Sequence, residues 1–518
     1  MACHRAAEAL FAGPPPNEGD RRRGSSGQVL VVALLWLSCP AVADTVQPTA
    51  RAAGGVVVRK RPSTDSERIG AVAPGDSADL IETARGWRKV RLSNATTGFV
   101  SSAWTEVLEG KATPARSTPG TRTPTVTANA PSPILHADDA VDWWFVFKFN
   151  TRSFPACGDG AQRQCPFGGQ VEDYSSGFSQ QFVYASSEAP TLQRGRGCVG
   201  DTTADPVGAT FDEIYNGDFS YVIWNDQFYG DPPIAGCGNS CSSPWGHSKG
   251  ILAWNNGGEG LVMQVSTPSW PASGSKASPR RTDGNTLGCI DDNDVKVSQH
   301  FFALRLTKTD LVKTLWALTN ASVVTDPSNP QIVKNGGPAD VQALVNGLGT
   351  QSHSRTPTNV TLSTGVKLIS KPSALHVPPW QIVSAELGGV ALRTATWWAS
   401  PKINSTTAST NIGCWDSSLG TAGPVQIATT GRWGATMFGL KGGSGSDFNH
   451  AKIGVATASG AHYTVFGDMN QQGALSGSDH DCGRSQNGRG GMFFVVDDAI
   501  LRDNVAGLIQ GDTAPIEP

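Results

Sequence analysis

Two histidine–lysine sets contain the residues of this chain best suited to chemistry. His247 and Lys249 are separated by one residue, and His450 and Lys452 repeat that spacing. On a β-strand, side chains two positions apart point to the same face, so each set can direct an imidazole and an ammonium into one pocket. At a phosphodiester, one imidazole can attack phosphorus and the other can move protons, while the lysines neutralise phosphoryl oxygens. The two sets therefore predict phosphodiester chemistry without a metal or another cofactor.

The sequence places both sets next to strands. Apolar runs follow them at 251–254 and at 453–456, so we expect each set to lie on a strand. Other apolar runs have the continuity of buried strands or the spacing of helices: strands at 143–149 and 221–224, and helices at 311–318 and 380–392. Alternating strands and helices predict an α/β (α+β) region in two halves, about 136–350 and 351–510. One set in each half hints at an internal duplication.

The composition favours a loop-rich protein that contains strands. At 518 residues the chain is too long for one hydrophobic core, and its length predicts about two to four domains. Only 16% of residues are charged, whereas there are 60 glycines and 33 prolines, which argues against a helical bundle or a disordered chain. The formal net charge of -3 gives no overall attraction for nucleic acid, so a site for a polyanion must be a local patch.

Cysteine usage predicts an oxidising compartment. Two of the ten cysteines precede the expected start of the mature protein, and eight follow the linker described below: Cys157, Cys165, Cys198, Cys237, Cys241, Cys289, Cys414 and Cys482. An even number together with an export signal predicts up to about four disulfides. Close spacing favours Cys157 with Cys165, and Cys237 with Cys241. A zinc site at the latter pair is the weaker alternative, because no second ligand pair lies at zinc-finger spacing.

Residues 1–43 contain the pattern of a secretory signal peptide. Arginines at 21–23 precede an apolar run at 29–37, and a small-x-small cleavage pattern follows at 41–43. The apolar run is too short to span a bilayer, and no other stretch of the sequence is apolar enough to do so. We therefore expect export to a secreted or periplasmic location in a bacterium, with no membrane span. A lipoprotein site at Cys39 is the weaker alternative.

Short strand-like runs alternate with turn signals over residues 50–108, which predicts a small all-β barrel. The segment resembles the bacterial Src-homology-3-like domains of exported proteins, at 58–59, 62–63, 69–70, 74–75, 86–90 and 98–101. This resemblance implies an accessory module that contacts cell-wall peptide or a partner. A spacer without a ligand is the alternative. A Pro/Thr/Ser-rich tract at 109–135 follows and predicts a semi-extended linker.

The region after the linker resembles the deoxyribonuclease II family, acid endonucleases with a phospholipase D-like fold. The matching segments keep their order within about 136–510: 142–148, 224–227, 246–250, 266–269, 284–289, 449–452, 467–471 and 488–491. The resemblance implies a phospholipase D-like pseudodimer, in which two mixed β-sheets flanked by helices form one catalytic domain. It also implies a DNA substrate, whose phosphodiesters are hydrolysed without a metal to leave 3′-phosphate and 5′-hydroxyl ends.

The resemblance also implies a catalytic set taken from both halves of this region. Carried over residue by residue, the set is His247, Lys249, His450 and Lys452, joined by Asp468 and Asn470. Asp468 and Asn470 stand where phospholipase D relatives carry a Gly-Ser-x-Asn element, which supports the histidine and the phosphate in that family. Because the two residues follow His450 in the chain, we expect them to support this histidine. A Gly-Asp turn with capping side chains is the alternative interpretation.

The chemistry of two imidazoles indicates a two-step mechanism. We expect neutral His247 to attack phosphorus and form a phosphohistidine, while protonated His450 donates to the leaving 5′ oxygen and then activates water. The two roles could also be exchanged. Lys249 and Lys452 are expected to stabilise the non-bridging oxygens. One imidazole must be neutral and the other charged, which is easiest near or below the ordinary histidine pKa of about 6.5. We therefore expect an acidic or bell-shaped pH optimum.

Two other functions are compatible with the sequence. A phosphodiesterase of the same fold could act on a lipid or another diester, but phospholipase D enzymes place an acid after the motif lysine where this chain has Trp254 and Thr457. A cell-envelope binding protein with a degenerate nuclease-like domain is the other alternative, and the presence of both His-x-Lys sets argues against it. Ala451 replaces a serine common at the middle position of the motif, where the side chain should face away from the acting pair.

Overall fold

The computed structural model describes most of the chain. It covers residues 45–108, 130–155, 181–280 and 296–517, with Phe167, Asn285 and Leu287 between these ranges, apart from short gaps at 50–51, 53–54, 75, 85, 93–95, 137–138 and 201. The predicted signal region 1–43 and most of the predicted linker 109–135 lie outside the described residues. Within the described part, no helix is long and apolar enough to cross a membrane.

Seven short strands form an N-terminal antiparallel sheet. They are β1 Thr45–Pro48, β2 Val56–Arg59, β3 Arg68–Val72, β4 Ala78–Ala84, β5 Trp87–Arg91, β6 Thr97–Ser101 and β7 Thr105–Leu108, in the order β3-β2-β6-β5-β4-β1-β7. Val56 and Val58 alternate into a small apolar core that also contains Val90 and Val100. Strand β1 begins before residue 50 and so lies outside the predicted bounds 50–108. The sequence did not predict it, because a four-residue segment that includes a proline carries no strand pattern of its own.

An eight-stranded sheet follows, and its described strand pairs are antiparallel. Its strands are β8 Trp143–Lys148, β9 Phe182–Ser186, β10 Gln193–Arg194, β11 Ser220–Asn225, β12 Lys249–Trp254, β13 Gly260–Val265, β14 Gln299–Leu306 and β15 Val333–Lys334, in the order β10-β9-β8-β14-β13-β12-β11-β15. Helix α1 Pro206–Asn216 lies between β10 and β11, α2 Lys308–Asn320 lies between β14 and β15, and α3 Ala339–Asn346 follows β15, so strands and helices do not alternate regularly as predicted. Every residue of β8 and β11 is buried, which explains the apolar runs that predicted them.

A second large sheet has seven strands and contains both antiparallel and parallel pairs. The elements of this part are β16 Thr358–Thr361, β17 Lys367–Lys371, α4 Pro379–Glu386, β18 Leu392–Ala395, β19 Val425–Ile427, β20 Thr430–Trp433, β21 Thr436–Gly439, β22 Ile453–Ala456, β23 Tyr463–Gly467, α5 Asp479–Cys482, β24 Gly491–Asp497 and α6 Ala499–Leu508. The sheet order is β16-β17-β24-β23-β22-β18-β19, while β20 and β21 form a separate hairpin. Mixed pairing therefore occurs in the second large sheet.

The helix predicted at 311–318 is present as α2, whereas the helix predicted at 380–392 ends early. Helix α4 stops at Glu386, and Gly388 and Gly389 then adopt φ values of 81°. This left-handed region suits glycine, which has no Cβ to clash there, and such residues commonly terminate helices. Leu392, the last residue of the predicted helix, instead begins strand β18.

The two large sheets repeat one order of five strands. The run β8-β14-β13-β12-β11 of the first corresponds to β17-β24-β23-β22-β18 of the second, whereas the outer neighbour β9 follows β8 in the chain and β16 precedes β17. Aromatic rings join the two sheets, since the Phe466 ring centroid lies 4.6 Å from that of Phe145 and 4.5 Å from that of Phe302. The repeated order supports the internal duplication that the two His-x-Lys sets suggested.

Each His-x-Lys set lies at the start of the equivalent strand, not within it as predicted. Strand β12 begins at Lys249, and β22 begins directly after Lys452. The backbone N–H groups of the two histidines donate to carbonyl oxygens of the opposite half: His247 to Gly490 at 2.8 Å, and His450 to Ser298 at 2.7 Å. These bonds take the histidines out of the ladder of their own sheet, which no local sequence pattern indicates.

Two disulfide bonds have both of their cysteines among the described residues. Cys237 bonds Cys241, as close spacing predicted, so the alternative of a zinc site at this pair is wrong. Cys414 bonds Cys482, a pairing that the sequence did not indicate. The expected pair of Cys157 and Cys165 lies outside the described residues.

Candidate active site

The structure brings both His-x-Lys sets together in one pocket of about 240 Å³. Five of the predicted site residues line it: His247, Lys249, His450, Lys452 and Asn470. Other lining residues include Asp226, Trp397, Gln486 and Arg489. Asp468 is buried in contact with His247. The pocket is therefore built from both halves, as the pairing of the two sets predicted.

His247 is held in one tautomer by a backbone carbonyl. Its Nδ1 atom lies 2.7 Å from the backbone oxygen of Asp468, and because a carbonyl only accepts hydrogen bonds, Nδ1 carries the proton. In the neutral ring, the Nε2 lone pair is then available for attack. Burial, and next the positive charge of Lys249, holds the pKa of His247 well below its ordinary value. The resting site therefore favours the neutral imidazole that a nucleophile requires.

The carboxylate of Asp468 fixes the middle residue of the first set. It accepts hydrogen bonds from Ser248 Oγ at 2.5 Å, Gln264 Nε2 at 3.0 Å and the Met492 backbone N–H at 2.9 Å. Ser248 Oγ in turn accepts from Trp224 Nε1 at 2.8 Å. Burial raises the pKa of Asp468 to about 7, although its hydrogen bonds with Ser248 and Met492 act in the opposite direction. This network positions Ser248, the residue between His247 and Lys249.

Asp468 contacts His247, whereas sequence order suggested that Asp468 and Asn470 support His450. The difference arises because the residues that follow β23 reach the His-x-Lys set of the opposite half. Asn470 lines the pocket, donates from Nδ2 to Gln472 Oε1 at 2.9 Å, and has no hydrogen-bond partner for Oδ1 among the described residues. Its amide oxygen is thus left for a ligand or a solvent molecule in the pocket.

Lys249 pairs with a buried carboxylate that the sequence did not assign to the site. Its Nζ donates to Asp226 Oδ1, and Arg489 Nη2 donates to Asp226 Oδ2 at 2.8 Å. Arg489 also donates to the backbone oxygens of Trp245 and Gly246, at 2.9 and 2.7 Å. Burial alone would raise the pKa of Asp226, but the two cations hold it below its ordinary value. The carboxylate therefore stays charged and fixes both cations at the pocket.

The second histidine of the site, His450, makes fewer polar contacts than His247. Its ring stacks edgewise on Trp397, with the centroids 4.4 Å apart. Its Nε2 has no hydrogen-bond partner among the described residues. Burial, followed by the charge of Lys452, holds the pKa of His450 well below its ordinary value. A second imidazole nitrogen is thus without a protein partner among the described residues at the pocket, where it can exchange a proton with a substrate.

A third buried histidine supports the second set. His300 Nδ1 accepts a hydrogen bond from the Lys452 backbone N–H at 3.1 Å, so in the neutral ring Nε2 carries the proton. Burial lowers the pKa of His300 well below its ordinary value, which keeps Nδ1 available as an acceptor. No local pattern in the sequence singled out His300. Asp226 and Arg489, by contrast, belong to segments 224–227 and 488–491, which carried the family resemblance.

The arrangement provides two neutral imidazoles and three cationic side chains around one small pocket, with one carboxylate holding two of the cations. Such a set can bind an anionic phosphoryl group, attack it with one imidazole and move a proton with the other. Among the described residues, no group of three or more His, Cys, Asp and Glu side chains is placed to hold a metal ion.

The fold and the site define an α+β protein of two matched halves that share one histidine–lysine pocket. The family model for deoxyribonuclease II matches residues 132–511, so the chain belongs to the deoxyribonuclease II family, a family of nucleases. The family model for the bacterial SH3 domain matches residues 54–106. No curated protein matches the chain.

Proposed function

We propose that this chain is an exported endonuclease that hydrolyses DNA phosphodiester bonds without a metal. The observation that carries the proposal is the fixed tautomer of His247, whose Nδ1 proton is accepted by the Asp468 backbone while Nε2 stays available for attack. Membership of the deoxyribonuclease II family supports DNA as the substrate. The accompanying cations support binding of a phosphate group.

In the first step, Nε2 of His247 attacks phosphorus and the bond between phosphorus and the 5′ oxygen breaks. The electron pair goes to the 5′ oxygen, which takes a proton from the imidazolium of His450. The product strand that carries the 5′-hydroxyl leaves, and the 3′ side stays bound as a phosphohistidine.

In the second step, neutral His450 takes a proton from water as the water oxygen attacks phosphorus. The phosphorus–nitrogen bond breaks, and its electron pair returns to Nε2 of His247. The product carries a 3′-phosphate, and both histidines recover their starting protonation states. Lys249, Lys452 and Arg489 stabilise the non-bridging oxygens in both steps, because all three line the pocket and their side chains are largely buried.

The two lowered histidine pKa values favour an acidic optimum. His247 must be neutral to attack, and its lowered pKa keeps it neutral at pH values where an ordinary histidine is charged. His450 must carry a proton to donate it, and its lowered pKa makes this form scarce at neutral pH. A bound phosphodiester offsets part of this depression, since its negative charge favours the imidazolium.

Supercoiled plasmid incubated in EDTA at pH 5 and at pH 8 tests the proposal. We expect nicking in EDTA, faster at pH 5, and product ends that a DNA polymerase extends only after phosphatase treatment. His353→Ala is a suitable control for His247→Ala and His450→Ala, because His353 is exposed. Absence of cleavage at both pH values, or cleavage that EDTA abolishes, would contradict the proposal.

The same experiment separates the two alternative functions. A phosphodiesterase for another diester would leave plasmid intact but hydrolyse bis(p-nitrophenyl) phosphate or phosphatidylcholine vesicles. A binding protein with a degenerate nuclease-like domain would hydrolyse none of these substrates. The intact pairs of histidines and lysines in one pocket favour the nuclease.

We also propose the domain organisation and location that accompany this activity. A signal peptide within 1–43 is removed on export, the module at 50–108 contacts cell-wall peptide, the tract at 109–135 links it to the nuclease, and 136–510 forms the catalytic domain. This organisation is supported by the match to the bacterial SH3 domain, the match to deoxyribonuclease II and the two disulfides. Co-sedimentation of the full chain with purified peptidoglycan tests the binding role, and a protein that stays in the supernatant would contradict it.

A further inference from the structure

Two buried lysines occupy equivalent strand ends in the two large sheets. Lys148 ends β8 and Lys371 ends β17, which are matching strands, and both side chains are fully buried. Lys148 Nζ donates to the backbone oxygen of Val297 at 2.7 Å, and Lys371 Nζ donates to that of Arg489 at 2.7 Å. Each lysine thus holds the main chain just before the next strand of its own sheet, β14 or β24.

The residue after each held carbonyl accepts the backbone N–H of a site histidine from the opposite half. Gly490, next to the held Arg489, accepts from His247 at 2.8 Å. Ser298, next to Val297, accepts from His450 at 2.7 Å. The same three-part chain of lysine, carbonyl and histidine therefore occurs in both directions across the pair of sheets.

Lys371 forms several hydrogen bonds with the backbone, and burial of its side chain alone would not require them. Its ammonium reaches four backbone oxygens, those of Pro372, Leu375, Asn487 and Arg489, at 2.7 to 3.2 Å. Among the described residues, no carboxylate pairs with it. A buried ammonium carries a large desolvation cost, and a hydrophobic residue of similar size would avoid that cost. An amino group that reaches four carbonyl oxygens can draw them to one point, whereas a hydrophobic side chain of similar size cannot.

We propose that Lys148 and Lys371 are positioning residues, each of which fixes the main chain that holds the site histidine of the opposite half. Lys371 positions His247 through Gly490, and Lys148 positions His450 through Ser298. Lys371 also fixes the backbone of Arg489, whose side chain bonds Asp226. The separate roles of the two histidines rest on the proposed function. The expected difference between the effects of the two lysine substitutions therefore rests on it too.

The difference between attack and proton donation provides the test. Lys371→Met and Lys148→Met keep the length of the side chain and remove its donors, and Lys276→Met is the control because Lys276 is exposed. The substrates are plasmid DNA and thymidine 3′-(p-nitrophenyl phosphate), whose leaving group needs little help from an acid. We expect Lys371→Met to lower kcat roughly 10–100-fold on both substrates, with little change in KM. We expect Lys148→Met to lower the rate of the first turnover on DNA by a similar factor but to change the first-turnover release of p-nitrophenolate from the activated diester much less.

A spectroscopic measurement gives a readout independent of activity. In protein labelled with ¹⁵N-histidine, the Nδ1–H signal of His247 should shift in Lys371→Met and stay in place in Lys148→Met. A folded Lys371→Met with unchanged kcat and an unchanged His247 signal would overturn the inference, as would equal losses on both substrates in both variants. If a methionine variant does not fold, the glutamine variant, which keeps two N–H donors, replaces it in the same comparison. If the parent protein cleaves neither substrate, the proposed function fails, while the His247 signal still tests the positioning by Lys371.

Discussion

Nδ1 of His247 lies 2.7 Å from the backbone oxygen of Asp468, a residue 221 positions away in the opposite half of the chain. This one contact sets the tautomer of the first histidine and leaves its other nitrogen for attack. The equivalent histidine, His450, has no hydrogen-bond partner for Nε2 among the described residues. The hydrogen bond to the Asp468 backbone thus fixes the ring of His247, and we propose that His247 attacks phosphorus while His450 moves the proton.

The two histidines should respond differently to a good leaving group. His247→Ala removes the nucleophile and is expected to lower kcat at least about 10³-fold on both DNA and thymidine 3′-(p-nitrophenyl phosphate). His450→Ala removes the proton donor, so the rate of the first turnover should fall by that order on DNA and much less for the first equivalent of p-nitrophenolate, while later turnovers slow on both substrates because the second step has lost its base. Rates of strand nicking and of the p-nitrophenolate burst in the first turnover measure the two losses. A reversed pattern would exchange the two roles.

A phosphohistidine should accumulate in the variant that lacks the second imidazole. With His450→Ala and the activated diester, the first step proceeds while the attack of water has lost its base. Quenching in alkali, which preserves phosphohistidine, followed by mass spectrometry of peptides should find the thymidine 3′-phosphoryl group on His247. The double variant with His247→Ala is the control and should carry none. Label on any other residue would contradict the assignment.

The pH dependence of stability should reveal the buried carboxyl of Asp468. Its pKa is raised from 3.8 to about 7 in the folded protein, so between these values the folded state holds a proton that the unfolded state has lost. The free energy of unfolding should therefore fall as the pH rises through this window. Asp468→Asn removes that contribution, so it should gain stability relative to the parent from pH 4 to pH 7. Urea unfolding at several pH values measures the difference, and parallel curves would contradict the prediction.

Removing the carboxylate that pairs with Lys249 should destabilise the protein strongly. Asp226→Asn leaves two buried cations without a counter-charge, which costs about 3–5 kcal/mol in comparable sites. Asp218→Asn is the matched control, because its pair with Lys334 is solvent-exposed and should contribute little. Urea unfolding gives both values, and equal effects would show that the buried pair is not special. In the folded fraction of Asp226→Asn, we expect a lower kcat because Lys249 is no longer fixed.

Local patterns predicted the parts of the site that lie close together in sequence. The spacing of His247 and Lys249, and of His450 and Lys452, placed four residues that indeed line one pocket. Apolar runs likewise predicted the buried strands β8 and β11, because strands buried on both faces consist mainly of apolar residues. The similar strand order of the two sheets could only be suggested, since little besides the two sets is alike in the two halves.

The contacts that connect the halves could not be predicted from local patterns. The carbonyls of Asp468, Gly490 and Ser298 hold the histidines, but any residue type has a carbonyl, so no side-chain pattern marks them. His300 is buried in strand β14, and only its bond to the Lys452 backbone shows its role. The support of His247 by Asp468 was missed for the same reason, because sequence order pointed to His450.

The backbone of each half positions the histidine of the other half, because His247 donates to Gly490 and His450 donates to Ser298. Neither half can set its own histidine, so a chain divided near residue 351 should yield two inert fragments that regain activity only when mixed. Mixing separately purified fragments and assaying nicking measures this complementation, and activity in either fragment alone would contradict it. The middle residues of the two sets, Ser248 and Ala451, differ although the two halves share this exchange of hydrogen bonds.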